Sequence, residues 1–343
     1  MSSILTNSSA MTALQTLSMT NKNLATTQNR IATGQRVSTA SDNAAYWSIA
    51  TTMRSDNGAL SAVQDALGLG AATVDIAYTA VDKSVKELDE IKKLLAAATD
   101  SGLEGAGRAK IQKDIDARLD ALKSYADSAV FNGENMLSVD SSAAGYNVKK
   151  SVVSSFSRAG GVVAVGTTDI SLDDIKLYDA NATLTAITAP ADLTKAWKTE
   201  NGGVFDSTWS VDTTYDDDAD PLTAEVALTT TLVIDDLDVS TITNSAADTA
   251  KLKAYLSIVD GAIGALTDSA GDLGAMKNRI SGQQDFVKSM RDAIDRGVGQ
   301  LVDADMNAES TRLQALQVQQ QLGIQALSIA NGNSQSILSL FRG

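Results

Sequence analysis

The sequence contains no cysteine and no histidine. Their absence excludes disulfides, thiolate or imidazole metal sites, and nucleophilic catalysis of the Ser-His-Asp or Cys-His type. Cysteine usage cannot assign a redox compartment either, because a chain without thiols tolerates oxidising and reducing surroundings alike. We therefore expect neither a cofactor nor an enzymatic activity.

Large side chains and long apolar runs are also scarce. Aromatic residues make up 4% of the 343 residues, too few to fill a thick globular core, so thin helical layers suit the composition better. No run of about 18 apolar residues predicts membrane insertion, and residues 1–20 lack the basic start and apolar block of a cleaved signal peptide. A net charge of −14 argues against nucleic acid as a partner.

An apolar residue returns every seven positions through the last third of the chain. The series begins at Leu252 and ends at Ile329, and its members between these are Val259, Leu266, Leu273, Ile280, Val287, Ile294, Leu301, Ala308, Ala315 and Leu322. A repeat of this length predicts long helices packed lengthwise, as in a left-handed coiled coil. Gly297 and Gly299 predict a break within it.

Residues 46–98 supply a partner of matching length, because apolar residues recur there at alternating steps of three and four. We expect a third helix, after a glycine-rich turn at residues 99–107, to fold back antiparallel along the second. Phe131-Asn132-Gly133 then predicts a turn. One interpretation is a single helical bundle made from both chain ends; two separate helical domains are the alternative.

Both chain ends predict helices that are almost free of charge. Residues 1–36 contain no acidic residue, and residues 307–341 contain one acidic and one basic residue. Their apolar residues occupy more faces than one partner helix can cover. We assign twelve of them to assembly helices: Leu14, Leu17, Leu24, Ile31, Leu313, Leu316, Leu322, Ile324, Ile329, Leu338, Leu340 and Phe341. The alternative for the first segment is a loosely ordered terminus.

Such helices should be only marginally stable in an isolated molecule, because the loss of conformational entropy on folding exceeds the free energy gained by burying one seam. In a lattice of identical copies the spare faces would be buried, and a repeated contact that does not close forms a helical filament. A joint at residues 31–45 separates the first helix from the second. Gly34 suits a helix C-terminus there, and Ser41 or Asp42 suits the N-cap of the next helix.

The middle of the chain has a different composition. Residues 160–250 contain both prolines and 17 Asp and Glu against 3 Lys, so they account for the net charge of the whole chain. Runs of β-branched residues at 162–165 and 228–234 predict strands. We expect a separate, small, β-rich domain facing solvent. The aspartates at 216–220 lack the spacing of an EF-hand loop and indicate a solvated charge run.

Six blocks in a fixed order resemble bacterial flagellin. They are residues 31–37, residues 40–45 (including Ser41, Asp42, Ala44 and Ala45), Phe131-Asn132-Gly133, residues 273–280, Asp303-Ala304-Asp305 and residues 337–342. Gly34 and Arg36 belong to the first block. The resemblance covers residues 1 to about 150 and 250 to 343, and the acidic insert falls where that family varies.

The resemblance implies a mainly α fold: a long coiled-coil-like helical rod built from both chain ends, with a small β-rich outer domain inserted in the middle. It divides the chain into residues 1–44 (N-terminal assembly helix and joint), 45–150 and 251–300 (the two parts of the rod), 151–250 (the variable outer domain) and 301–343 (C-terminal assembly helix). The implied function is that of a self-polymerising subunit of the extracellular flagellar filament.

The resemblance also implies partners and a route. Flagellins are exported unfolded by the flagellar type III system, and the implied partners are an export chaperone, the filament cap, hook-junction proteins and other flagellins. Two alternatives remain: a hook-filament junction protein, which shares terminal helices, and a secreted coiled-coil adhesin that uses the acidic insert for binding. We expect Leu316→Asp or Leu322→Asp to block polymerisation and a deletion of residues 160–250 to leave it intact.

Two features depart from the family pattern. Tyr46 and Trp47 stand where a small residue is common, so we expect a bulky pair to pack at the base of the rod. Flagellins recognised by Toll-like receptors carry an arginine on the first rod helix, near the position of Glu90 here. The reversed charge predicts weak or absent recognition.

Overall fold

The computed structural model describes residues 7–100, 102, 105–159, 162–181, 186–190, 192, 195–215 and 226–340. The helices of this part of the chain are α1 (Ser8–Thr33), α2 (Ala44–Ala98), α3 (Gly105–Ser128), α4 (Ala246–Val302) and α5 (Met306–Leu340), with a 3-10 helix at Ile234–Asp236. The strands are β1 (Val130–Phe131), β2 (Glu134–Asn135), β3 (Ser138–Val139), β4 (Lys149–Ala159), β5 (Val162–Ser171), β6 (Tyr178–Asp179), β7 (Trp197–Lys198), β8 (Thr208–Tyr215) and β9 (Val226–Val233). Within these ranges no helix combines the length and apolar character needed to cross a bilayer.

The chain forms two compact units. One contains the described residues of Met1–Ser61 and Ser289–Gly343, and the other contains those of Ala62–Lys288. The helices α2 and α4 contribute residues to both. The domain division made from the sequence stays a prediction.

Three helices form the framework of the Ala62–Lys288 unit. Lys92 Nζ lies 2.5 Å from Asp260 Oδ1 and Lys277 pairs with Asp75, so α2 and α4 run antiparallel. Arg118 of α3 lies 2.6 Å from Glu87, and Arg108 donates to the Ala98 carbonyl at 3.2 Å, so α3 runs antiparallel to α2 as predicted. The six heptad residues of α4 in this unit are all buried: Leu252, Val259, Leu266, Leu273, Ile280 and Val287. This part of the repeat is a packing seam, as expected.

The heptad series does not continue as one helix. Gly297 and Gly299 lie inside α4, and the break comes at Asp303–Asp305, so the predicted break position is wrong. Asp305 caps the N-terminus of α5, because its side-chain Oδ1 accepts hydrogen bonds from the backbone N–H groups of Asn307 and Ala308. A new helix starts at this point, and its heptad positions Ala308, Ala315, Leu322 and Ile329 are exposed, so α5 packs through a different face.

The β-rich region packs against these helices. Asn132 (φ 53°) and Gly133 (φ 82°) form the two-residue turn between antiparallel β1 and β2, as the sequence predicts. Strands β4 and β5 form a long antiparallel hairpin, and β7, β8 and β9 form a second antiparallel sheet. Trp209 of β8 is buried, and a Cβ on Gly261 of α4 would lie 3.2 Å from its ring. The β-rich region therefore shares a core with α4, whereas we expected it to form a separate domain.

The candidate assembly interface

Helices α1 and α5 form an antiparallel pair. Asn7 Nδ2 donates to the Ala330 carbonyl at 2.9 Å, and Gln320 Nε2 donates to Asn21 Oδ1 at 2.8 Å. At the other end the pair closes with an ion pair between Arg30 and Glu309. These contacts connect the start of one helix to the end of the other, and so fix the register of the pair.

The seam between the two helices is narrow and made largely of small or polar residues. On α1 the buried and half-buried positions are Ala10, Ala13, Leu17, Thr20, Leu24, Thr27, Arg30 and Ile31. On α5 they are Glu309, Leu313, Leu316, Gln320, Gly323, Leu327 and Ala330. A Cβ on Gly323 would lie 3.3 Å from Leu17 Cδ1, so the two helices approach closely where glycine stands. Such a seam buries little apolar surface for its length.

An ion pair lies at one end of this seam. Arg30 Nη1 donates to Glu309 Oε1 at 3.1 Å, and Glu309 is only 8% exposed. Its second oxygen, Oε2, is buried without a hydrogen-bond partner among the described residues. The apolar pattern of the sequence does not predict this pair. The available signal was that Glu309 is the one acidic residue of residues 307–341 and that α1 carries Arg30 in its last turn.

A large part of the apolar surface of both helices faces away from the seam. On α1 the exposed side chains are Met11, Leu14 and Met19, and on α5 they are Val318, Leu322, Ile324 and Ile329. The term outer face denotes these seven residues, which lie on the solvent-exposed sides of the two helices. Leu322, for example, is 57% exposed, whereas Leu316 in the seam is 7% exposed.

The twelve predicted assembly residues therefore fall into three groups. Those in the seam are Leu17, Leu24, Ile31, Leu313 and Leu316, and those on the outer face are Leu14, Leu322, Ile324 and Ile329. Leu338 and Leu340 belong to α5, but their side chains lie outside the described part, as does all of Phe341. The heptad stripe predicted through Ala315, Leu322 and Ile329 is wrong as a seam, because the new start at Asp305 turns it outward.

The joint lies between α1 and α2 along the chain and is hydrogen-bonded to the break between α4 and α5. Gly34 ends α1 in the left-handed conformation (φ 70°), as predicted, and its carbonyl accepts from Ala304 N at 2.9 Å. Arg36 donates its backbone N–H to the Val302 carbonyl at 2.6 Å and its guanidinium to the Leu301 carbonyl at 3.1 Å. Val37 packs into a small core with Ala50, Val298 and Val302. The joint is thus a structured connector.

The predicted N-cap of α2 is wrong by one or two residues. Asn43 is the cap, because its Oδ1 accepts from the backbone N–H groups of Ala45 and Tyr46. Asp42 instead accepts from the backbone and hydroxyl groups of Ser38 and Thr39, and the bonds from Thr39 hold its pKa below the usual value. Ser41 contacts Thr39, and Ala44 begins α2.

Three further predicted residues lie at the surface of α2. Tyr46 and Trp47 are exposed, so the expectation that they pack at the base of the rod is wrong; the buried face of α2 at this end carries Ala50 instead. Glu90 is half-buried on α2 and lies 2.8 Å from Lys93, whose hydrogen bond lowers the pKa of Glu90. Arg118 of α3 lies 3.7 Å from the same carboxylate. The effect of Glu90 on receptor recognition stays a prediction.

Comparison with known proteins decides the family. Residues 4–142 match the bacterial flagellin N-terminal helical region, and residues 256–341 match the bacterial flagellin C-terminal helical region. The chain belongs to the bacterial flagellin family. It is 49% identical over 348 residues to Flagellin C of Rhizobium meliloti (strain 1021), with 100% of each chain covered. It is 44% identical over 343 residues to Flagellin of Brucella melitensis biotype 1, again with 100% of each covered.

Flagellins are structural proteins, and the chain is a structural subunit of the flagellar filament, an extracellular part of the bacterial flagellum. Family matches at both ends and full-length similarity to flagellins favour this function over a junction protein or an adhesin. Residues 143–255 lie between the two family matches and contain the whole acidic insert.

Proposed function

We propose that this flagellin polymerises through the outer face of the α1–α5 pair, and that its role is structural with no enzymatic activity. The observation that carries the proposal is the division of apolar residues between two faces. The seam already occupies one face of each helix, yet Leu322 and Ile329 are more than half exposed on the other. Burying one such side chain against a neighbouring copy would contribute roughly 1.5–3 kcal/mol.

Charge supports the same surface. Residues 307–341 contain only Glu309 and Arg312 as charged residues, and Glu309 is occupied within the seam. Like-charge repulsion between copies is therefore small at the outer face of α5. The net negative charge of the chain lies in the insert, where it keeps the polymer soluble.

The test is a pair of substitutions at Leu322. Leu322→Asp adds a charge to the outer face without touching the seam, so the subunit should fold with unchanged helicity but fail to form filaments. Leu322→Met keeps an apolar side chain of similar volume at the same place and should polymerise normally. Seeded polymerisation followed by sedimentation and electron microscopy measures the outcome. Normal filaments from Leu322→Asp would sink the proposal.

Leu316→Asp is a second variant with a different expected mechanism. Because Leu316 is buried in the seam, the new carboxylate should separate α5 from α1 within the subunit and reduce helicity before any assembly. The Ala62–Lys288 unit should keep its own unfolding transition. Polymerisation is lost in both variants, but only Leu316→Asp changes the circular dichroism of the monomer.

The same family membership supports a proposal for delivery and partners. The chain would be exported unfolded through the flagellar type III system, escorted by a chaperone on its C-terminal end, and added beneath a cap, on hook-junction proteins or next to other flagellins. The chain has no cysteine and so forms no disulfide that would hinder its passage in an unfolded, extended form. Secretion of the full chain by cells that lack the flagellar export apparatus would contradict this route.

A further inference from the structure

The sulfur atoms of this chain all belong to its eight methionines, since it has no cysteine. Two methionines of α1 are among the most exposed large apolar residues of the described part: Met11 at 65% and Met19 at 59%. Met136, in the other compact unit, is 3% exposed. The chain therefore has the same thioether group both exposed to solvent, at Met11 and Met19, and buried, at Met136.

Met11 and Met19 belong to the outer face, where Leu14 lies between them. The opposite face of α1 is committed to α5 through Ala13, Leu17 and Thr20. A second copy of this chain is the occupant that the family supplies, because a filament subunit is surrounded by copies of itself. Both thioethers would then be open in the free subunit and covered in the polymer.

We propose that Met11 and Met19 form an oxidation-sensitive modification site that decides whether a free subunit can enter the filament. This inference rests on the proposed function of the outer face. The reagent is a peroxide or hypochlorous acid in the surroundings of the cell. With hydrogen peroxide, the thioether sulfur attacks one oxygen, so that an S–O bond forms and the O–O bond breaks. The hydroxide that leaves then takes up the proton of the new S–OH group, which gives the sulfoxide and water. The sulfur loses two electrons and the peroxide gains them.

The product changes the surface chemically. A flexible apolar side chain becomes a polar sulfoxide, which disrupts apolar interfaces and is reversible by methionine sulfoxide reductases. In the free subunit the new oxygen faces water at no cost, whereas in the polymer it would be buried among apolar groups of a neighbouring copy. Oxidation should therefore oppose assembly while leaving the fold of the subunit unchanged.

The experiment treats purified full-length monomer with hydrogen peroxide and follows each methionine by peptide mass spectrometry. Met11 and Met19 should gain one oxygen well before Met136. The critical concentration for seeded polymerisation should then rise about tenfold or more, the scale expected when a polar group enters an apolar contact without a partner. Sulfoxide reductases should restore the original value, and filaments formed beforehand should protect both residues.

The double variant Met11→Leu with Met19→Leu is the matched control, because leucine has similar volume and cannot be oxidised. It should polymerise normally before and after peroxide, whereas Met306→Leu should leave the sensitivity in place. The proposal is overturned if fully oxidised Met11 and Met19 permit normal assembly, if Met136 oxidises as fast as they do, or if the double variant loses assembly after peroxide. Failure of untreated protein to polymerise would instead contradict the proposed function.

Discussion

A buried lysine organises the charged residues of the β-rich region. Lys176 Nζ lies 2.9 Å from Asp173 and 3.0 Å from Asp179, and it also donates to the Asn201 carbonyl. Burial lowers the pKa of Lys176, but the hydrogen bonds to the two aspartates outweigh it and raise the pKa above its usual value. The pKa of Asp179 is lowered because bonds from Ser141 and Lys176 outweigh its burial. These charges are therefore mutually satisfied.

Asp206, by contrast, is buried at a net cost. It accepts the backbone N–H of Asp179, yet its Oδ1 has no hydrogen-bond partner among the described residues. Burial is the main cause that raises the pKa of Asp206 above 3.8, and the backbone bonds only partly oppose it. Because the folded state binds the proton more tightly than the unfolded state, stability falls as pH rises from about 3.8 through the raised pKa.

We predict that Asp206→Asn removes this loss. Asparagine does not titrate, so the free energy of unfolding should no longer fall with rising pH over that window. At pH 7 it should exceed that of the parent by about 1–3 kcal/mol, because a neutral amide costs less to bury than a carboxylate. Urea midpoints from pH 4 to 8 provide the measurement. Asp173→Asn is the contrasting control, since it removes a partner of Lys176 and should lower the midpoint.

At the scale of elements, α3 holds the chain where it returns from the β-rich region to α4. Arg108 is buried and donates to the carbonyls of Ala98 and Ile242, each at 3.2 Å, and to the Asn244 side chain. Gln112 donates to the Leu237 carbonyl at 2.8 Å and accepts from Val239 N at 2.7 Å. Two side chains of one helix thus satisfy backbone groups that have no strand partner there.

Arg108→Ala should therefore be strongly destabilising. The substitution leaves two buried carbonyls without their donor and opens a cavity, so we expect the unfolding free energy to fall by about 2–4 kcal/mol. Urea unfolding followed by circular dichroism measures the change. Lys110→Ala is the matched control on the same helix, because Lys110 is exposed, and its effect should stay within about 0.5 kcal/mol. Equal effects of the two variants would contradict the anchoring role.

The ion pair between α1 and α5 can be tested by substituting its two residues. Arg30→Leu leaves the buried Glu309 carboxylate without its cation, which should cost about 3–5 kcal/mol. Replacing both residues by leucine removes the uncompensated charge, so the double variant should recover much of that loss. Hydrogen exchange of the α1 and α5 amides reports the result in the monomer. If the double variant were as unstable as Arg30→Leu alone, the ion pair would be essential for a reason other than charge compensation.

The elements that the sequence predicted are those in which periodicity and packing agree. The heptads from Leu252 to Val287 predicted a seam because each residue meets a partner of the same compact unit. The turn at Asn132-Gly133 was predicted because few other residue pairs adopt its positive φ angles. Past Asp303 the same period continued to predict a seam, yet a three-residue break was enough to change the face that packs. Periodicity cannot report such a change, because the apolar residues themselves keep their spacing.

The candidate interface was predicted in its helices and missed in its seam. Thr20 and Thr27 are buried in α1 although threonine is a polar residue. The hydroxyl of Thr20 donates a hydrogen bond to the Thr16 carbonyl at 3.0 Å. Residues of this kind pack closely because they are small, which hydropathy does not express. Leu14 was assigned to the correct helix, but it lies on the outer face because Ala13 occupies the seam.

At the scale of the whole molecule, the insert is coupled to the helices that carry it. Residues 160–250 include buried Phe205, Trp209, Leu237 and Val239, and they supply the backbone groups that Arg108 and Gln112 bind. The expectation that polymerisation survives their deletion therefore needs revision. Removal of the whole segment would expose the faces of α3 and α4 that now contact it.

We predict that deletion of residues 160–250 abolishes the cooperative unfolding of the Ala62–Lys288 unit, whereas a shorter excision is tolerated. Replacing residues 154–166 by Asn-Gly would join Val153 to Thr167, which already face each other across the β4–β5 hairpin, and would keep buried Ile170. This variant should keep a single urea transition and form filaments; the full deletion should do neither. Filaments from the full deletion would mean that the apolar contacts between insert and helices contribute nothing to the subunit that polymerises. Loss of assembly in the short excision alone, with its folding intact, would instead assign the outer part of the hairpin to contacts between copies.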